Sequence, residues 1–299
     1  MIQQTTEPTA LALGNFDGLH RGHALVLRGA KQMAQAQGLV PGVLLFDEHP
    51  RQVLCGQAPP LLMTAEEKQK RLEESGFRVF TLSFRTAKDL SPEAFVLLLQ
   101  TQFHAKAVCC GRNYRFGKDA AGTAQTLKTL CDSRGIAVQI VDDVRYKGEL
   151  ISSSRIRRAI ENGEMEDANA MLLFPFSYRL SVVPGDKRGR TLGFPTANQF
   201  FLPQMIRPCA GVYASKVHLN GVWYPAVTNI GIRPTIGTET FRSETCILGF
   251  SGDLYGTALE VFPLHYLRGE QKFQDLAALR AAMENDAKAA REVLQQHER

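Results

Sequence analysis

The sequence predicts two domains of different class: an α/β domain built on a parallel sheet, followed by a β domain with a closing helix. Three observations predict this. Through the first half, short apolar runs alternate with amphipathic helical stretches. From residue 178 that grammar gives way to short extended runs separated by turn signals. At 299 residues, 44% of them hydrophobic, the chain is long for one domain and comfortable for two.

Each element has its own warrant. Residues 10–13 form an apolar run ending at Gly14, which reads as a buried strand. Residues 23–37 are rich in Ala, Leu, Lys and Gln, the residues of a helix, and Gly38 stops it. Residues 43–46 read as a second strand, closed by His49-Pro50. Thr64 starts a helix with Glu66 and Glu67 in the first turn, where the macrodipole favours acids. Residues 79–82 are a strand. Ser91-Pro92-Glu93 opens a helix, with serine as cap and proline at the first helical position. Residues 107–110 are a strand, 123–133 a helix and 138–141 a strand. The alternation predicts helices on both faces of the sheet. Ligand sites in such sheets lie at the carboxyl ends of strands, so the loops after Leu13, Phe46 and Cys110 can share one crevice.

Residues 156–173 read as helical and bridge the domains. Beyond them, residues 178–183, 211–219, 222–229, 245–250 and 259–264 are extended. Pro184-Gly185, Asn220-Gly221 and Ser251-Gly252-Asp253 separate them, and Asn220-Gly221 is the strongest hairpin signal. This spacing fits a small barrel or a sandwich. Residue 273 onward reads as the closing helix. The expected partition is 1–158, a helical linker 159–176, and 177–299.

The net charge of +5 is mild and its basic residues are scattered, which suits phosphorylated small molecules and argues against nucleic acid. Six cysteines occur without zinc spacing, so reduced thiols are expected. The N-terminus lacks a signal pattern, and no apolar run approaches membrane-spanning length. A cytoplasmic protein without a membrane partner is expected.

Two segments carry phosphate chemistry. In GNFDGLHRGH, from Gly14, the histidines His20 and His23 stand at a strand-to-helix junction, three residues apart. With His23 in the first helical turn, both rings can face one side. The free N–H groups of the helix start attract phosphate, and Gly14, Gly18 and Gly22 allow close backbone approach. Nucleotidyl transfer needs no side-chain nucleophile there, because positioning and charge stabilisation suffice. GRNYRFG, from Gly111, interleaves polar and aromatic residues after a strand. Its aromatic faces can pack on a planar heterocycle while Asn113 bonds its edge. ISSSRIR, from Ile151, sets hydroxyls at a helix start with cations behind.

These motifs, in this order, resemble the FMN adenylyltransferase half of prokaryotic bifunctional riboflavin kinase/FAD synthetases. The resemblance implies a Rossmann-like nucleotidylyltransferase domain. It implies that Gly14, Phe16, Asp17, His20, Gly22 and His23 border the ATP phosphates, with Ser153, Ser154 and Arg155 completing the pocket and Asn113 near the flavin. Glu48 replaces an expected proline, Tyr114 a phenylalanine and Ser154 a threonine.

In the second half, the basic turn from Gly185 to Arg190 precedes GFPTAN. A Gly- and Arg-rich loop can wrap phosphates. Thr196 and Asn198 flank Ala197, so in an extended segment both point one way, and their oxygens suit Mg²⁺. Glu244, placed at the start of a strand, is the candidate to accept a hydroxyl proton. GRTLGFPTAN, NIGIRPT, SETCILGF, DLYG and LRGEQKF resemble riboflavin kinases. That resemblance implies an antiparallel barrel, Mg²⁺ at Thr196 and Asn198, Glu244 as base, and Gly185, Arg188 and Gly189 in the loop over the nucleotide. Cys246 stands where histidine is common, and Pro184 precedes Gly185. The implied chemistry takes riboflavin and ATP to FMN, then FMN and a second ATP to FAD and pyrophosphate. A chain with one degenerate site and a non-catalytic flavin-binding regulator are the rival readings.

Overall fold

The computed structural model describes residues 5–185, 193–235 and 238–296. The chain divides into two compact units. The first holds residues up to 59 and from 64 to 153; the second holds residues 60–63 and everything from Ser154.

The first unit is a five-stranded parallel sheet. Its strands are β1 (Thr9–Leu13), β2 (Val40–Phe46), β3 (Arg78–Leu82), β4 (Ala105–Gly111) and β5 (Ala137–Val141), in the spatial order 3-2-1-4-5. Every residue of β1 is buried, because helices cover both faces of a central parallel strand. On one face, Ala10 and Ala107 meet Ala34 of helix α1 (Arg21–Gln37). Small residues bring α1 close. A Cβ on Gly29 would come within 2.6 Å of the Cys109 sulfur. On the other face, Leu11 and Leu13 join Phe80, Leu82, Phe95, Leu99, Phe103 and Leu127 in one cluster. Each such fully buried side chain stabilises the fold by roughly 1.5–3 kcal/mol. Helix α2 (Ala65–Glu74) is capped by Thr64, whose hydroxyl accepts from the Glu67 N–H at 3.2 Å. Helices α3 (Pro92–Gln102) and α4 (Ala124–Asp132) follow the expected signals.

β2 begins at Val40, three residues before the apolar run, with Pro41 and Gly42 in register opposite Ala10 and Leu11. A Pro-Gly pair reads as a turn. Here Gly42 is paired within the sheet, and the strand position takes a glycine because Leu11 and Phe80 would each lie 2.8 Å from a Cβ.

From Ser154 the second unit continues helix α5 (Ser153–Asn162) and then α6 (Met165–Met171), with a break at Gly163 (φ 81°). The helical reading of 156–173 is thus two helices. Glu166 of α6 reaches His265 at 2.6 Å, and Asn169 donates to the Pro263 carbonyl.

Six antiparallel strands follow: β6 (Tyr178–Ser181), β7 (Ala197–Phe200), β8 (Gly211–Leu219), β9 (Val222–Thr235), β10 (Thr238–Ile247) and β11 (Ala258–Arg268). Their spatial order is 6-11-8-9-10-7. The edges β6 and β7 nearly close a barrel, so of the two architectures the spacing allowed, the barrel is the one formed. Val183 N–H donates to the Asn198 carbonyl at 2.8 Å across the seam. The fully buried Gln199 side chain donates to the carbonyls of Leu180 (2.7 Å) and Leu259 (2.8 Å), doing the work of missing ladder bonds. The β8–β9 hairpin turns at Asn220 (φ 50°) and Gly221 (φ 80°), both left-handed as a tight hairpin requires. Helix α7 (Leu276–Gln296) covers the outer face, packing Ala290 and Leu294 on Ala214 and Ala287 on Cys246 and Leu248. Arg268 holds it with two bonds to Asp286, at 2.9 and 2.7 Å.

Two expectations are corrected. The run 245–250 belongs to a strand that starts earlier, at Thr238, and stops at Ile247, because Gly249 (φ 79°) turns the chain. β7 was not read as a strand of the sheet; it is short and half polar, and its alternation is hidden by buried Asn198 and Gln199.

Candidate active sites

In the first unit, the strand order reverses between β1 and β4. The loops leaving their carboxyl ends therefore flank the crevice where open sheets bind ligands. The β1 loop is a strained turn. Phe16 (φ 49°) and Leu19 (φ 47°) are left-handed, at a cost of about 1–2 kcal/mol each. Their side chains are fully buried, which offsets a strain of that size. Phe16 packs under Gly14 and against the His23 ring, centroids 5.2 Å apart. It can therefore meet a phosphate only through its backbone. The Asp17 carbonyl accepts from the Ser153 hydroxyl at 2.9 Å.

The turn delivers the two histidines into a reciprocal cap. His20 is the N-cap of α1, and its Nδ1 accepts from the His23 N–H at 3.2 Å. The Nδ1 of His23 accepts from the His20 N–H at 3.3 Å. The rings stack with centroids 3.5 Å apart and planes 14° from parallel. Any side chain at position 22 would crowd the His20 ring, which lies 3.0 Å from where a Cβ would stand.

This geometry fixes protonation. Each Nδ1 is an acceptor, so in the neutral ring the proton sits on Nε2, which is left to donate. Burial lowers the His20 pKa to about 4. Burial, then the neighbouring His20 and Lys68, hold His23 well below its ordinary value. The pair is neutral at pH 7 and offers two N–H donors beside a helix N-terminus.

Lys68, on α2, places its Nζ 3.4 Å from the Asn15 carbonyl in the same turn. The sequence reading missed it. A lysine among Glu66, Glu67 and Lys70 looks like an ordinary solvated helix face, and nothing local links it to a turn 53 residues away.

Asn113 is exposed just past β4, its Oδ1 close to Gly111. Its aromatic neighbours depart from expectation. Phe116 is buried against Phe95, and Tyr114 stacks on Phe116 with centroids 5.8 Å apart. They fill the core, and burial pushes the Tyr114 phenol up. Glu48 pairs with Arg85 through two bonds, at 2.7 and 3.0 Å. Ser154 and Arg155 lie in the first turn of α5 and open the second unit.

In the second unit, a cleft of about 480 Å³ is lined by Gly185, Thr196, Asn198, Thr245, Phe250 and Tyr255 among others. Asn198 is buried in its wall and donates to the Thr196 carbonyl at 3.3 Å. That bond orients the amide and leaves Oδ1 to accept. Gly185 lies against this amide so closely that a Cβ would meet Nδ2 at 2.3 Å. Glu244 stands directly opposite Asn198 in the β7–β10 register and opposite Asn229 in the β9–β10 register. It is mid-strand rather than at a strand start, pairs with Arg242, and does not itself line the cleft. Cys246 is buried beneath α7, where burial raises its thiol to about 11, so it behaves as an apolar filler. Arg188 and Gly189 lie outside the described residues.

Comparison with known proteins agrees with this division. Residues 2–155 match the FAD synthetase family and residues 172–294 the riboflavin kinase family. A bifunctional riboflavin kinase/FMN adenylyltransferase of Listeria monocytogenes is 37% identical, over 94% of this chain and 91% of its own. The Bacillus subtilis protein of the same description is 34% identical, over 97% and 94%. A crystal structure titled as a macrolide-efflux protein from Streptococcus pneumoniae superposes with a TM-score of 0.88 at 32% identity, covering 96% of this chain and 95% of that one. That title describes the other protein; among the described residues here, no helix is long and apolar enough to cross a membrane. Two folds, matched in order and nearly end to end, place this chain in the bifunctional riboflavin kinase/FMN adenylyltransferase family.

Proposed function

We propose that the chain converts riboflavin to FMN with ATP in residues 177–299, and FMN to FAD with a second ATP in residues 1–158. The observation that carries the reading is the reciprocal histidine cap at the switch point of one sheet, together with a separate polar cleft at the seam of a barrel.

For adenylyl transfer, an FMN phosphate oxygen attacks the α-phosphate of ATP and pyrophosphate leaves. FMN's phosphate is already ionised, so no protein base is required. His20 and His23 donate from Nε2 to phosphoryl oxygens as charge builds there. The glycines of the turn, the backbone of Phe16 and Asp17, and the helix start admit the phosphates. Ser153 braces the turn through the Asp17 carbonyl. The assignment of Asn113 to the flavin, and of Ser154 and Arg155 to the triphosphate, rests on their motifs.

For phosphorylation, Glu244 accepts the proton of the riboflavin 5′-hydroxyl as that oxygen attacks the γ-phosphate. Arg242 holds the carboxylate in place. Thr196 and Asn198 fit Mg²⁺: a hydroxyl and an amide carbonyl are hard oxygen donors, and the rest of the shell belongs to nucleotide and water. The ion would supply charge neutralisation between β- and γ-phosphates. Gly185, with Arg188 and Gly189 of the adjoining loop, would cover the nucleotide. We place the enzyme in the cytoplasm, where its six unpaired cysteines suit a reducing compartment.

The test is incubation of purified protein with riboflavin and MgATP and resolution of the flavin products. Both FMN and FAD are expected. FMN alone would remove the adenylyltransferase assignment, and neither product with bound flavin would favour a regulator.

A further inference from the structure

We propose that Lys68 is a catalytic cation of the adenylyl-transfer site, its ammonium gripping the triphosphate of ATP from the side of the β1 turn. This rests on the adenylyltransferase reading above.

The argument begins with a charge deficit. The reaction brings together a triphosphate and an FMN phosphate, groups that carry several negative charges between them. The histidine pair supplies hydrogen-bond donors but no net charge, because each Nδ1 is committed to a backbone N–H and burial favours the neutral rings. The start of α1 offers about half a positive charge and has no acidic residue in its first turn to oppose it. Arg155 is assigned to the triphosphate by its motif, and Arg21 at the start of α1 is exposed. A half-buried cation held against the turn itself would add charge where the phosphates meet it.

Lys68 has that place. It is the fourth residue of α2, whose start is fixed by the Thr64 cap, so its stem has a defined origin. One ammonium hydrogen goes to the Asn15 carbonyl, between Gly14 and Phe16. Its charge is felt by His23 and is favoured by Asp17, so it borders both the histidines and the turn. Among the described residues it forms no salt bridge, unlike its neighbours Lys70 and Arg71, which pair with Glu74 and Glu67 on their own helix. A half-buried ammonium held by one carbonyl has two more hydrogens to give. Burial lowers its pKa, which is the state a bound polyanion would reverse. A compact, strongly directed ammonium suits phosphate as a point charge.

Three variants separate charge from scaffolding. Lys68→Gln keeps a donor for the Asn15 carbonyl but loses the charge. Lys68→Arg keeps the charge. Lys68→Met loses both. FAD formation from FMN and MgATP is measured alongside FMN formation from riboflavin, which reports on folding, and inorganic pyrophosphate is used as a probe of the triphosphate subsite. Expected for both Gln and Met is a fall of about 10²-fold in kcat/KM for FAD formation, with weakened pyrophosphate inhibition and unchanged FMN formation. Arg should retain activity within about tenfold. In the parent enzyme FAD formation should fall as alkaline pH removes the ammonium proton, and in the Arg variant that fall should move to higher pH. The proposal is overturned if Gln keeps FAD formation within about twofold, or if Gln and Arg lose it equally, which would mark Lys68 as a brace for the turn. Parent enzyme making no FAD would instead defeat the adenylyltransferase reading itself.

Discussion

The two sites solve phosphate chemistry by opposite means. The first is made from backbone: a strained turn, a helix start and two imidazoles that spend one nitrogen each on capping that helix. Its imidazole donors are neutral, and its turn is local in sequence, reached from afar by Ser153 on the Asp17 carbonyl and Lys68 on the Asn15 carbonyl. The second is made from register. Asn198, Glu244 and Asn229 come together because β7, β10 and β9 are paired in phase, and a one-residue slip would send all three side chains to the other face. The base proposed for it is an acid, Glu244, paired with Arg242. A local site tolerates change elsewhere, whereas a register site depends on the closure of its whole barrel.

The contrast is broken most severely by Glu244→Gln. Loss of a general base should lower FMN formation by about 10²–10⁴-fold while FAD formation from supplied FMN stays within about twofold, read by chromatographic separation of the flavins. Next, His23→Ala should reduce FAD formation by about 10²–10³-fold and spare FMN formation. Loss of both activities in a folded protein, from either change, would mean the sites are not independent.

Gly185→Ala tests the close approach in the second cleft. The added methyl cannot coexist with the Asn198 amide where it stands, so the amide must move. A displacement near 1 Å should cost up to about 10²-fold in FMN formation, with FAD formation unaffected.

Acid should distinguish the sites through stability. Unfolded histidine titrates at 6.5, while His20 in the folded chain titrates at about 4. Below pH 6.5 the unfolded chain therefore binds more protons, and stability falls as pH drops from 6.5 towards 4. The His20 contribution is on the order of 3 kcal/mol across that window. Melting temperature against pH should show this slope. His20→Asn, which keeps a capping side chain without the titration, should make it shallower, the remainder coming from His23.

Much of this was legible in the chain. The parallel sheet followed from apolar runs alternating with capped helices, because a buried strand and a helix start each carry local marks, as at residues 10–13 and Ser91-Pro92. Asn220-Gly221 announced its hairpin through backbone freedom alone. What was hidden depended on distant partners. Gly42 looks like a turn residue until Phe80 is seen to need its space. Phe116 reads as a ligand platform in sequence, and only its packing on Phe95 shows it to be a core plug. Lys68 has no local signature at all, and the placement of Glu244 within β10 required the full strand pairing. Elements marked by local chemistry were legible in sequence; the neighbours that tertiary pairing supplies, as Asn198 and Asn229 flanking Glu244, were not.

The smallest expected effect concerns Gln199→Leu, which removes two bonds across the barrel seam. It should lower stability by about 1–3 kcal/mol and leave FAD formation intact, as measured by thermal unfolding with parallel assay.

That glutamine also has a wider consequence. Among the described residues, the gap between β6 and β7 is spanned by the Gln199 amide and by the Val183 N–H on the Asn198 carbonyl. This lightly bonded seam borders the cleft that Asn198 lines. Within the barrel, deuterium uptake should be fastest there, so that the edge of this cleft is also the place where the cylinder first comes unrolled.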